Sequence, residues 1–385
     1  MHRWSKPPIL VGLSGGVDSA VAALLLKRAG HAVESLFMSV WEDDDDAYCT
    51  SSRDFQDARA VADELGIPLH RVSFAAQYRE RVFAYFLAEH RAARTPNPDV
   101  LCNREIKFGL GLAYARRLGG VRLATGHYAR LIDGAEGPQL HKALDGAKDQ
   151  SYFLHAVARA DLAQACFPLG ELPKPQVRAL ARAAGLPVHD KPDSTGICFI
   201  GERPFREFLA RYLREEPGPI ESDAGERLGS HRGLAFYTLG QRAGLALGGR
   251  AGHEHAPWYV AAKHPARNAL IVVQGQEHPL LVSRALTTGA VNWLCEPPAA
   301  PFAAHTKLRY RQSDIDVRVL PRADATLRLE FSTLERAVTP GQFAVLYAGT
   351  QCLGGAVIEH SESLGSQTFS PYNLPAISAA GALRA

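Results

Sequence analysis

The stretch Gly12-Leu13-Ser14-Gly15-Gly16-Val17-Asp18-Ser19 stands directly after a short apolar run and directly before an amphipathic one. In this stretch, which we call the glycine loop, paired glycines let the backbone turn its N–H groups toward an anion. The hydroxyls of Ser14 and Ser19 add donors, and a helix that starts here adds partial positive charge. The loop has neither the GKS/T of a Walker motif nor the GxGxxG of a Rossmann motif. It predicts a phosphate site at a strand–helix junction; the alternative is a plain Gly-Gly turn capped by Asp18 or Ser19.

Outward from the glycine loop, short apolar runs alternate with amphipathic stretches as far as about residue 130. The predicted strands are Ile9–Leu13, Val33–Met38, Ile67–Phe74 and Val121–Thr125, and the predicted helices are Ser19–Arg28, Arg53–Leu65, Arg79–His90 and Arg104–Leu118. Gly30, Gly66 and Gly119 stand where three of these helices should end, as C-terminal caps do. Strands joined by helical crossovers lie parallel, so the pattern predicts an α/β domain with helices on both faces of a parallel sheet.

The character of the sequence changes near residue 200. A last helix is predicted near Pro204–Leu213, followed by a Pro/Gly-rich break at Glu216–Pro219, the glycine-rich segment Gly240–Arg250 and the aromatic strand Trp258–Val260. Beyond residue 280 come the alternating runs His305–Arg311, Ile315–Leu320, Ala325–Phe331 and Phe343–Tyr347, which predict a small antiparallel barrel. We therefore expect a catalytic α/β domain at 1–202, a small central mostly-β domain at 203–275, a β-barrel at 276–362 and a tail at 363–385.

The overall composition is that of an ordinary globular protein and excludes few classes of function. The 385 residues suit two or three domains, and 46% hydrophobic with 22% charged residues is ordinary for a globular protein. The formal charge of +3 means that any nucleic-acid binding must come from local clusters. Residues 1–8 lack the apolar core of a signal peptide, and no stretch has the length of a membrane span. We expect a cytoplasmic protein without a membrane partner.

The six cysteines include two with a chemically distinctive setting. None forms a CxxC pair, so neither a disulfide framework nor a structural zinc site is expected. Cys102 lies between a proline-stiffened turn and a helix predicted to begin near Arg104, where the helix N-terminus, Arg104 and Lys107 would lower its pKa. Cys198 lies between glycines that leave room for a second group. For either cysteine alone, a small buried hydrophobe is the alternative, and burial is the prediction for the remaining four, Cys49, Cys166, Cys295 and Cys352.

Together these motifs resemble the tRNA-specific 2-thiouridylase family from residue 9 to about residue 358. Further matching segments are Leu36–Met38, Pro96–Phe108, Ala124–Arg130, Lys148–Leu154, Ser194–Gly201, Gly240–Arg242, Lys307–Gln312, Val338–Gln342 and Cys352–Gly355. The glycine loop alone resembles that of many enzymes that split ATP into AMP and pyrophosphate. The two cysteine motifs narrow the resemblance from that large group to the 2-thiouridylase family. One departure is Ala20, where a second serine often follows the loop.

The resemblance implies thiolation of the wobble uridine in the anticodon stem-loop of tRNA, with ATP and Mg²⁺. Residues Gly12 to Ser19, Met38 and Gly126 would bind ATP, and Asp18 would hold magnesium on the pyrophosphate. Cys102 would be the nucleophile and Cys198 the persulfide carrier. The target base would meet Asn97, Pro98 and Asp99, with Asp99 also placed for acid–base work. Contacts with tRNA would come from His127, Lys148, Asp149, Gln150, Arg309, Tyr310 and Gln342.

The implied mechanism transfers AMP to the 2-position oxygen and then replaces that oxygen with sulfur. Either the terminal sulfur on Cys198 attacks and a Cys102–Cys198 disulfide results, or Cys102 first frees hydrosulfide, which attacks instead. Turnover needs a reductant and a sulfur-donor protein, either a cysteine desulfurase or a relay protein.

Two other functions remain open at this level. One is another adenylating synthetase or a different RNA thiolase with the same loop, and the other is an inactive tRNA-binding protein. The acidic run Asp43–Asp46 is predicted to be a solvated loop rather than a metal site, and His253-Glu254-His255 is also predicted to be a loop.

Overall fold

A computed structural model describes residues 7–42, 51–193, 205–248 and 256–365. The predictions for Cys49, Asp43–Asp46, the Ser194–Gly201 segment with Cys198, His253–His255 and the end of the tail lie outside these residues.

The described residues form ten α-helices and eighteen strands. The helices are α1 (Val17–Arg28), α2 (Ser51–Leu65), α3 (Ala75–Tyr78), α4 (Ala84–Arg91), α5 (Pro98–Leu101), α6 (Leu112–Arg117), α7 (Ser151–Leu154), α8 (Arg159–Leu162), α9 (Lys174–Ala183) and α10 (Phe205–Ala210). The strands are β1 (Ile9–Gly12), β2 (Val33–Ser39), β3 (Leu69–Ser73), β4 (Arg122–Ala124), β5 (Ala129–Gly134), β6 (Gly137–Lys142), β7 (Ala165–Cys166), β8 (Gly218–Ser222), β9 (Arg227–His231), β10 (Trp258–His264), β11 (Ala269–Gln274), β12 (Val282–Thr288), β13 (Asn292–Trp293), β14 (Phe302–Lys307), β15 (Ile315–Pro321), β16 (Leu327–Arg336), β17 (Phe343–Ala348) and β18 (Gln351–Ser363). None of these helices is both long and apolar enough to span a lipid bilayer.

The N-terminal domain is built on a parallel sheet of order β3-β2-β1-β4-β7. Alternate residues of β1 face opposite sides: Val11 packs with α1, α2 and α9, whereas Leu10 packs with Phe108 and Leu112 on the other face. Both faces of the sheet are therefore covered at β1, which explains why β1 is a continuous apolar run. The predicted α/β domain is confirmed.

The glycines predicted as helix caps are confirmed by their backbone conformation. Gly30, Gly66 and Gly119 have φ of 79°, 57° and 86° and follow α1, α2 and α6. A left-handed residue at this position lets the last turn satisfy its carbonyl groups, and glycine adopts it without strain.

The helix that carries Cys102 begins earlier than predicted. It starts at Pro98, continues as a π-helical segment over Cys102–Gly111 and ends as α6. Proline is favoured at the first helical position, where its missing N–H costs nothing, so the turn and the helix are one element. The predicted start near Arg104 is wrong, and Cys102 lies inside the helix rather than before it. The π-helical geometry is rare and is often found at functional sites.

A β-hairpin that the sequence pattern did not reveal joins the N-terminal domain to the barrel. Strands β5 and β6 pair with each other, and His141 of β6 pairs with Gln351 of β18. The hairpin thus extends the barrel sheet. The two domains also share a hydrophobic core, in which Leu10 and Phe108 belong to the same cluster as Phe343 and Tyr347.

The remaining domains are both β-structures, as predicted. The central sheet has the order β10-β11-β8-β9. The C-terminal strands run β12-β16-β15-β14-β17-β18, and β12 also pairs with β18, which closes a six-stranded antiparallel ring. Closure removes the exposed edges that an open sheet would present.

Candidate active site

Three neighbouring strands bring the predicted ATP residues to one edge of the parallel sheet. Met38 lies near the end of β2, the glycine loop follows β1, and Gly126 follows β4. A Cβ added to Gly12 would lie 3.3 Å from Met38 Cε, and one added to Gly126 would lie 2.7 Å from Ser19 N. The chain runs from β1 toward β2 on one side and returns to β4 on the other. Such a switch in strand order opens a crevice where α/β domains bind ligands.

The glycine loop has a conformation that requires glycine and suits an anion. Gly15 has φ +77°, and a Cβ there would lie 2.3 Å from the carbonyl oxygen of Asp54. Ser19 Oγ accepts a hydrogen bond from Ser14 N at 3.1 Å and donates one to the carbonyl of Gly16 at 3.0 Å. Within the part of the chain that the structure describes, no side chain caps the first turn of the twelve-residue helix α1. The cradle and the positive end of α1 therefore fit a phosphate group.

Asp18 is held by two groups that the sequence analysis did not identify. Lys174 Nζ lies 2.6 Å from its Oδ1 and 2.8 Å from its Oδ2, and Tyr128 Oη donates to Oδ1 at 2.8 Å. Burial and the adjacent Asp18 charge raise the pKa of Tyr128, so this hydroxyl stays a donor. Carboxylate oxygens suit Mg²⁺, and Asp18 lies in the loop that would hold the phosphates. Asp18 therefore fits the predicted metal role, and an ion that takes both of its oxygens would compete with Lys174.

Lys174 continues into a network around Asp193. Asp193 bonds to Lys174 at 2.8 Å, to Lys148 at 2.7 Å and to Arg178 at 2.6 Å. Burial by itself would raise the pKa of Asp193, but the hydrogen bonds from Lys148 and Lys174 outweigh it and hold that pKa at about 2. The carboxylate is therefore charged at neutral pH. Lys148, predicted to contact tRNA, is half-buried and neutralises Asp193 here.

A second lysine ties the same stretch of chain to the glycine loop. Lys191 Nζ donates to the carbonyl of Gly15 at 3.0 Å and bonds to Asp54 and Asp57 at 2.7 Å and 2.5 Å. Burial would lower the pKa of Lys191, but the two carboxylates raise it. The backbone of the glycine loop is thus held by an ammonium group from a distant part of the sequence.

Cys102 is covered by protein in this structure. Its side chain is 1% exposed and packs in a cluster with Trp41, Leu101 and Ile106. The residues predicted to meet the target base lie just ahead of it: Asn97 and Asp99 are half-buried and Pro98 is buried. A lowered pKa for Cys102 stays a prediction.

The other cysteines are not equivalent to Cys102. Burial raises the pKa of Cys352 to about 12, so its thiol stays protonated. Cys166 and Cys295 are half-buried rather than buried as predicted, and burial raises the pKa of each. A raised pKa leaves little reactive thiolate at neutral pH.

The barrel holds the segment that leads into Cys102. Gln342 Nε2 donates to the carbonyl of Thr95 at 2.8 Å, and Thr95 N donates to the carbonyl of Pro340 at 3.1 Å. Arg94 bonds to Glu359 of β18 at 2.9 Å and also to Glu89 of α4. Gln342, predicted to contact tRNA, therefore makes a contact between domains in this structure.

The other predicted tRNA residues differ in exposure. Asp149 is 4% exposed, and its carboxylate accepts hydrogen bonds from the backbone N–H of Ala143 and of Ser151. Gln150 Oε1 accepts from Tyr128 N at 3.0 Å. Asp149 is therefore buried and Gln150 half-buried, and both accept hydrogen bonds from the protein backbone.

His127 is also internal, whereas the barrel residues reach the surface. Burial lowers the pKa of His127 well below its usual value, and its Nδ1 lies 2.7 Å from Thr125 Oγ1, so the imidazole is neutral. Arg309 is exposed and Tyr310 is half-buried against Phe153, with ring centres 4.6 Å apart.

Sequence reasoning missed Lys174, Tyr128, Lys191 and Asp193 as parts of the site. Tyr128 stood within a quoted motif next to Gly126 and could have been proposed. Lys174 lies between two prolines, 156 positions from Asp18, and no local pattern links the two residues.

The fold and the glycine loop define a nucleotide-binding α/β domain followed by two β-domains, and family models match this architecture. The models are described as tRNA methyl transferase HUP domain (residues 7–202), tRNA methyl transferase PRC-barrel domain (206–274) and aminomethyltransferase beta-barrel domain (283–358). The tRNA-specific 2-thiouridylase MnmA of Methylibium petroleiphilum is 53% identical, with 92% of this chain and 98% of that protein covered. The enzyme of that name from Paracidovorax citrulli is 56% identical, with 92% and 96% covered. This chain belongs to the tRNA-specific 2-thiouridylase family.

Among solved structures, NMN synthetase from Francisella tularensis is similar with a TM-score of 0.33 and 23% identity, covering 49% of this chain and 66% of that one.

Proposed function

We propose that this protein uses ATP to replace the 2-position oxygen of the wobble uridine of tRNA with sulfur, releasing AMP and pyrophosphate. One observation carries the proposal: the glycine loop, Met38 and Gly126 meet at the switch point of the sheet. They do so in a chain that is 53% identical to a tRNA-specific 2-thiouridylase, with 98% of that relative covered. We place the reaction in the cytoplasm.

The first step activates a poor leaving group. A uracil carbonyl oxygen does not depart at neutral pH, but its ester with AMP does. The 2-position oxygen attacks the α-phosphorus of ATP, and pyrophosphate leaves with the electrons of the broken P–O bond. Backbone N–H groups of the glycine loop and the positive end of α1 would offset its charge. Mg²⁺, held through Asp18, would supply further charge neutralisation.

The second step delivers sulfur. In one route the terminal sulfur of a persulfide on Cys198 attacks the activated carbon and AMP leaves. Cys102 thiolate then attacks the Cys198 sulfur; the sulfur–sulfur bond to the base breaks, and its electron pair stays on the thiolated base. A Cys102–Cys198 disulfide results, which a cellular thiol must reduce. In the other route Cys102 thiolate first attacks the Cys198 sulfur of the persulfide, which forms the same disulfide and releases hydrosulfide. The hydrosulfide then attacks the activated carbon, and AMP leaves. A sulfur-donor protein, a cysteine desulfurase or a relay, would reload Cys198.

The position of Cys102 supports a role that begins on RNA binding. Its thiol is 1% exposed, and the half-buried Asn97 and Asp99 lie one helical turn ahead of it. A base that docks against Asn97–Asp99 would have to displace part of the cover before it met the sulfur. Bases of an anticodon loop are already partly unstacked, so turning one outward costs less than in a duplex.

RNA affinity would come mainly from exposed cations. Arg309 is exposed beside the half-buried Tyr310, and this pair offers phosphate binding together with an aromatic face. Lys148 can join them only if it releases Asp193. The buried side chains of Asp149 and His127 would act by shaping the surface.

The decisive experiment incubates the protein with ATP, Mg²⁺, a sulfur source and unmodified tRNA, and then measures the mass of the wobble nucleoside and the pyrophosphate released. The proposal expects 2-thiouridine and pyrophosphate release that requires tRNA. Reactions with Asp18→Asn and with Cys102→Ser separate the two steps, because only the second variant should retain adenylation.

The alternatives give other results in the same assay. Pyrophosphate release with a small molecule and without tRNA would indicate another adenylating synthetase. Binding of tRNA with neither product would indicate an inactive binding protein, and either outcome would overturn the proposal.

A further inference from the structure

Lys174 is a buried lysine with a second possible partner. Its side chain is 9% exposed and its ammonium lies between Asp18 of the glycine loop and Asp193. Its backbone N–H donates to Asp145 Oδ2 at 2.9 Å, which fixes the start of α9 and hence the origin of the side chain. Only the long, flexible stem of Lys174 is free to change partner.

A metal ion that takes both oxygens of Asp18 would compete with Lys174 for them. Both are within 2.8 Å of Lys174 Nζ, and Oδ1 also accepts from Tyr128. A metal ion on Asp18 would repel the ammonium and take its place. A Cβ added to Gly126 would lie 2.7 Å from Asp18 C and from Ser19 N, so Gly126 lets the next strand end approach the start of α1 closely.

We propose that Lys174 has two partners in turn: Asp18 when no nucleotide is bound, and the pyrophosphate portion of ATP once Mg²⁺ occupies Asp18. The inference rests on the ATP site of the proposed function. Asp193 lies 2.8 Å from the ammonium and can stay beside it in both states, while Asp18 in one state and a phosphate in the other supplies the second negative charge. A buried ammonium without a counter-charge would be costly. Lys174 is thus both a nucleotide-binding residue and the competitor that keeps metal off Asp18 in the free protein.

This double role predicts opposite effects of removing the ammonium. Lys174→Met takes a charged contact from ATP, so ATP binding at saturating Mg²⁺ should weaken about tenfold, the usual effect of losing one charged hydrogen bond. The same change removes the competitor from Asp18, so the nucleotide-free protein should bind a divalent ion more tightly. A merely structural lysine would weaken both, because both sites need the same fold.

The test uses equilibrium binding rather than turnover. ATP binding is measured by calorimetry at saturating Mg²⁺, and Mn²⁺ binding to nucleotide-free protein is measured by electron paramagnetic resonance. Lys174→Arg, which keeps the charge, should restore most of the ATP affinity. Arg178→Met is the matched control, because Arg178 also lies on α9 and bonds to Asp193 but not to Asp18; neither affinity should change. In Lys174→Met with Asp18→Asn the gain in Mn²⁺ affinity should disappear.

Each result decides the matter. Weaker ATP binding with stronger Mn²⁺ binding supports the inference. Unchanged ATP affinity, or a parallel loss of both affinities, overturns it. If Lys174→Met does not fold, Lys174→Gln gives the same comparison. Wild-type protein that binds no ATP would overturn the proposed function and this inference together, whereas normal wild-type binding with an indifferent Lys174 variant would overturn only the inference.

Discussion

The side-chain amide of Gln342 donates a hydrogen bond to the carbonyl of Thr95 at 2.8 Å, across the boundary between the barrel and the N-terminal domain. Thr95 also donates its N–H to Pro340, and its hydroxyl lies 3.4 Å from that of Thr238 in the central domain. All three domains therefore meet at the residue that leads into Asn97–Asp99. Tilting the barrel would move the proposed base-binding residues.

Gly341 should be intolerant of any side chain. It has φ +94°, and an added Cβ would lie 2.9 Å from Thr95 N and 3.0 Å from Thr95 C and O. We expect Gly341→Ala to lower the free energy of unfolding by about 3 kcal/mol, from backbone strain and main-chain overlap together. Thiolation should fall about tenfold because the segment shifts. Chemical denaturation and the nucleoside assay measure the two effects.

Gly349→Ala is the matched control for that prediction. Gly349 also has positive φ, 57°, but an added Cβ would meet none of the described residues within 4 Å. It should cost only about 1 kcal/mol and leave thiolation unchanged. Equal losses of thiolation in the two variants would argue against a positioning role for the Gly341–Thr95 contact.

The two cysteine variants should separate chemistry from binding. We expect Cys198→Ser and Cys102→Ser each to abolish 2-thiouridine formation while the dissociation constant for tRNA stays nearly unchanged, because a hydroxyl cannot carry or attack the transferred sulfur. Cys166→Ser should remain active, because burial raises the pKa of this thiol and leaves it mostly protonated. Cys166 is the second residue of the short strand β7. Loss of tRNA binding in Cys198→Ser would mean that its role has been misassigned.

Lys148→Ala tests whether that lysine leaves Asp193 for the RNA. If it does, the variant should bind tRNA more weakly, and the slope of log affinity against log salt should decrease by about one phosphate contact. Filter binding over a range of salt concentrations measures this. An unaltered slope would show that Lys148 makes no phosphate contact and stays paired with Asp193 when tRNA binds. Arg309→Ala should reduce the slope in either case, because Arg309 is exposed.

Acid sensitivity should depend on His90. Burial and the nearby Lys263 ammonium lower the pKa of His90 to about 4, whereas an unfolded histidine titrates near 6.5. Between these values the unfolded chain binds a proton that the folded chain does not, so the free energy of unfolding falls as the pH falls from 6.5 toward 4. At about pH 5 the contribution is roughly 2 kcal/mol relative to neutral pH.

Urea denaturation at about pH 7 and about pH 5 tests this linkage. His90→Gln should lose about 2 kcal/mol less than the wild type on acidification, although its stability at neutral pH falls with the lost hydrogen bond to Ala235. His31→Gln, at an exposed position, should lose as much unfolding free energy as the wild type when the pH is lowered. Identical pH profiles for all three proteins would contradict the assignment.

Much of the fold follows from local patterns, and the exceptions have physical causes. Short runs rich in apolar residues predicted β1 to β4, and burial of both faces explains the continuous apolar run of β1. Alternation of apolar and polar residues predicted the barrel strands, because one face of each is buried. The attachment of the β5–β6 hairpin to β18 was not predicted because that pairing joins residues far apart in sequence. The helix start at Pro98 was not predicted, because Pro98 was interpreted as part of a turn, although proline also favours the first turn of a helix.

The glycine loop, Met38 and Gly126 lie together because the ends of neighbouring parallel strands share an edge of the sheet. Their role in binding ATP stays a prediction. The roles of Gln342 and Asp149 as internal contacts could not be anticipated, since burial is a tertiary property. Lys174 is the clearest case: its importance lies entirely in which carboxylates the fold places beside it.

The hairpin and the common core bear on whether the barrel can exist as a separate polypeptide. Phe343, Val345 and Tyr347 are buried against the N-terminal domain, and β18 lies against the hairpin strand β6. A barrel fragment expressed by itself would present this apolar face and an open strand edge to water, and we expect it to aggregate. Co-expressed with the missing N-terminal half, it should instead co-elute as a reconstituted complex, so a nick between the domains would sever the chain without dismantling the enzyme.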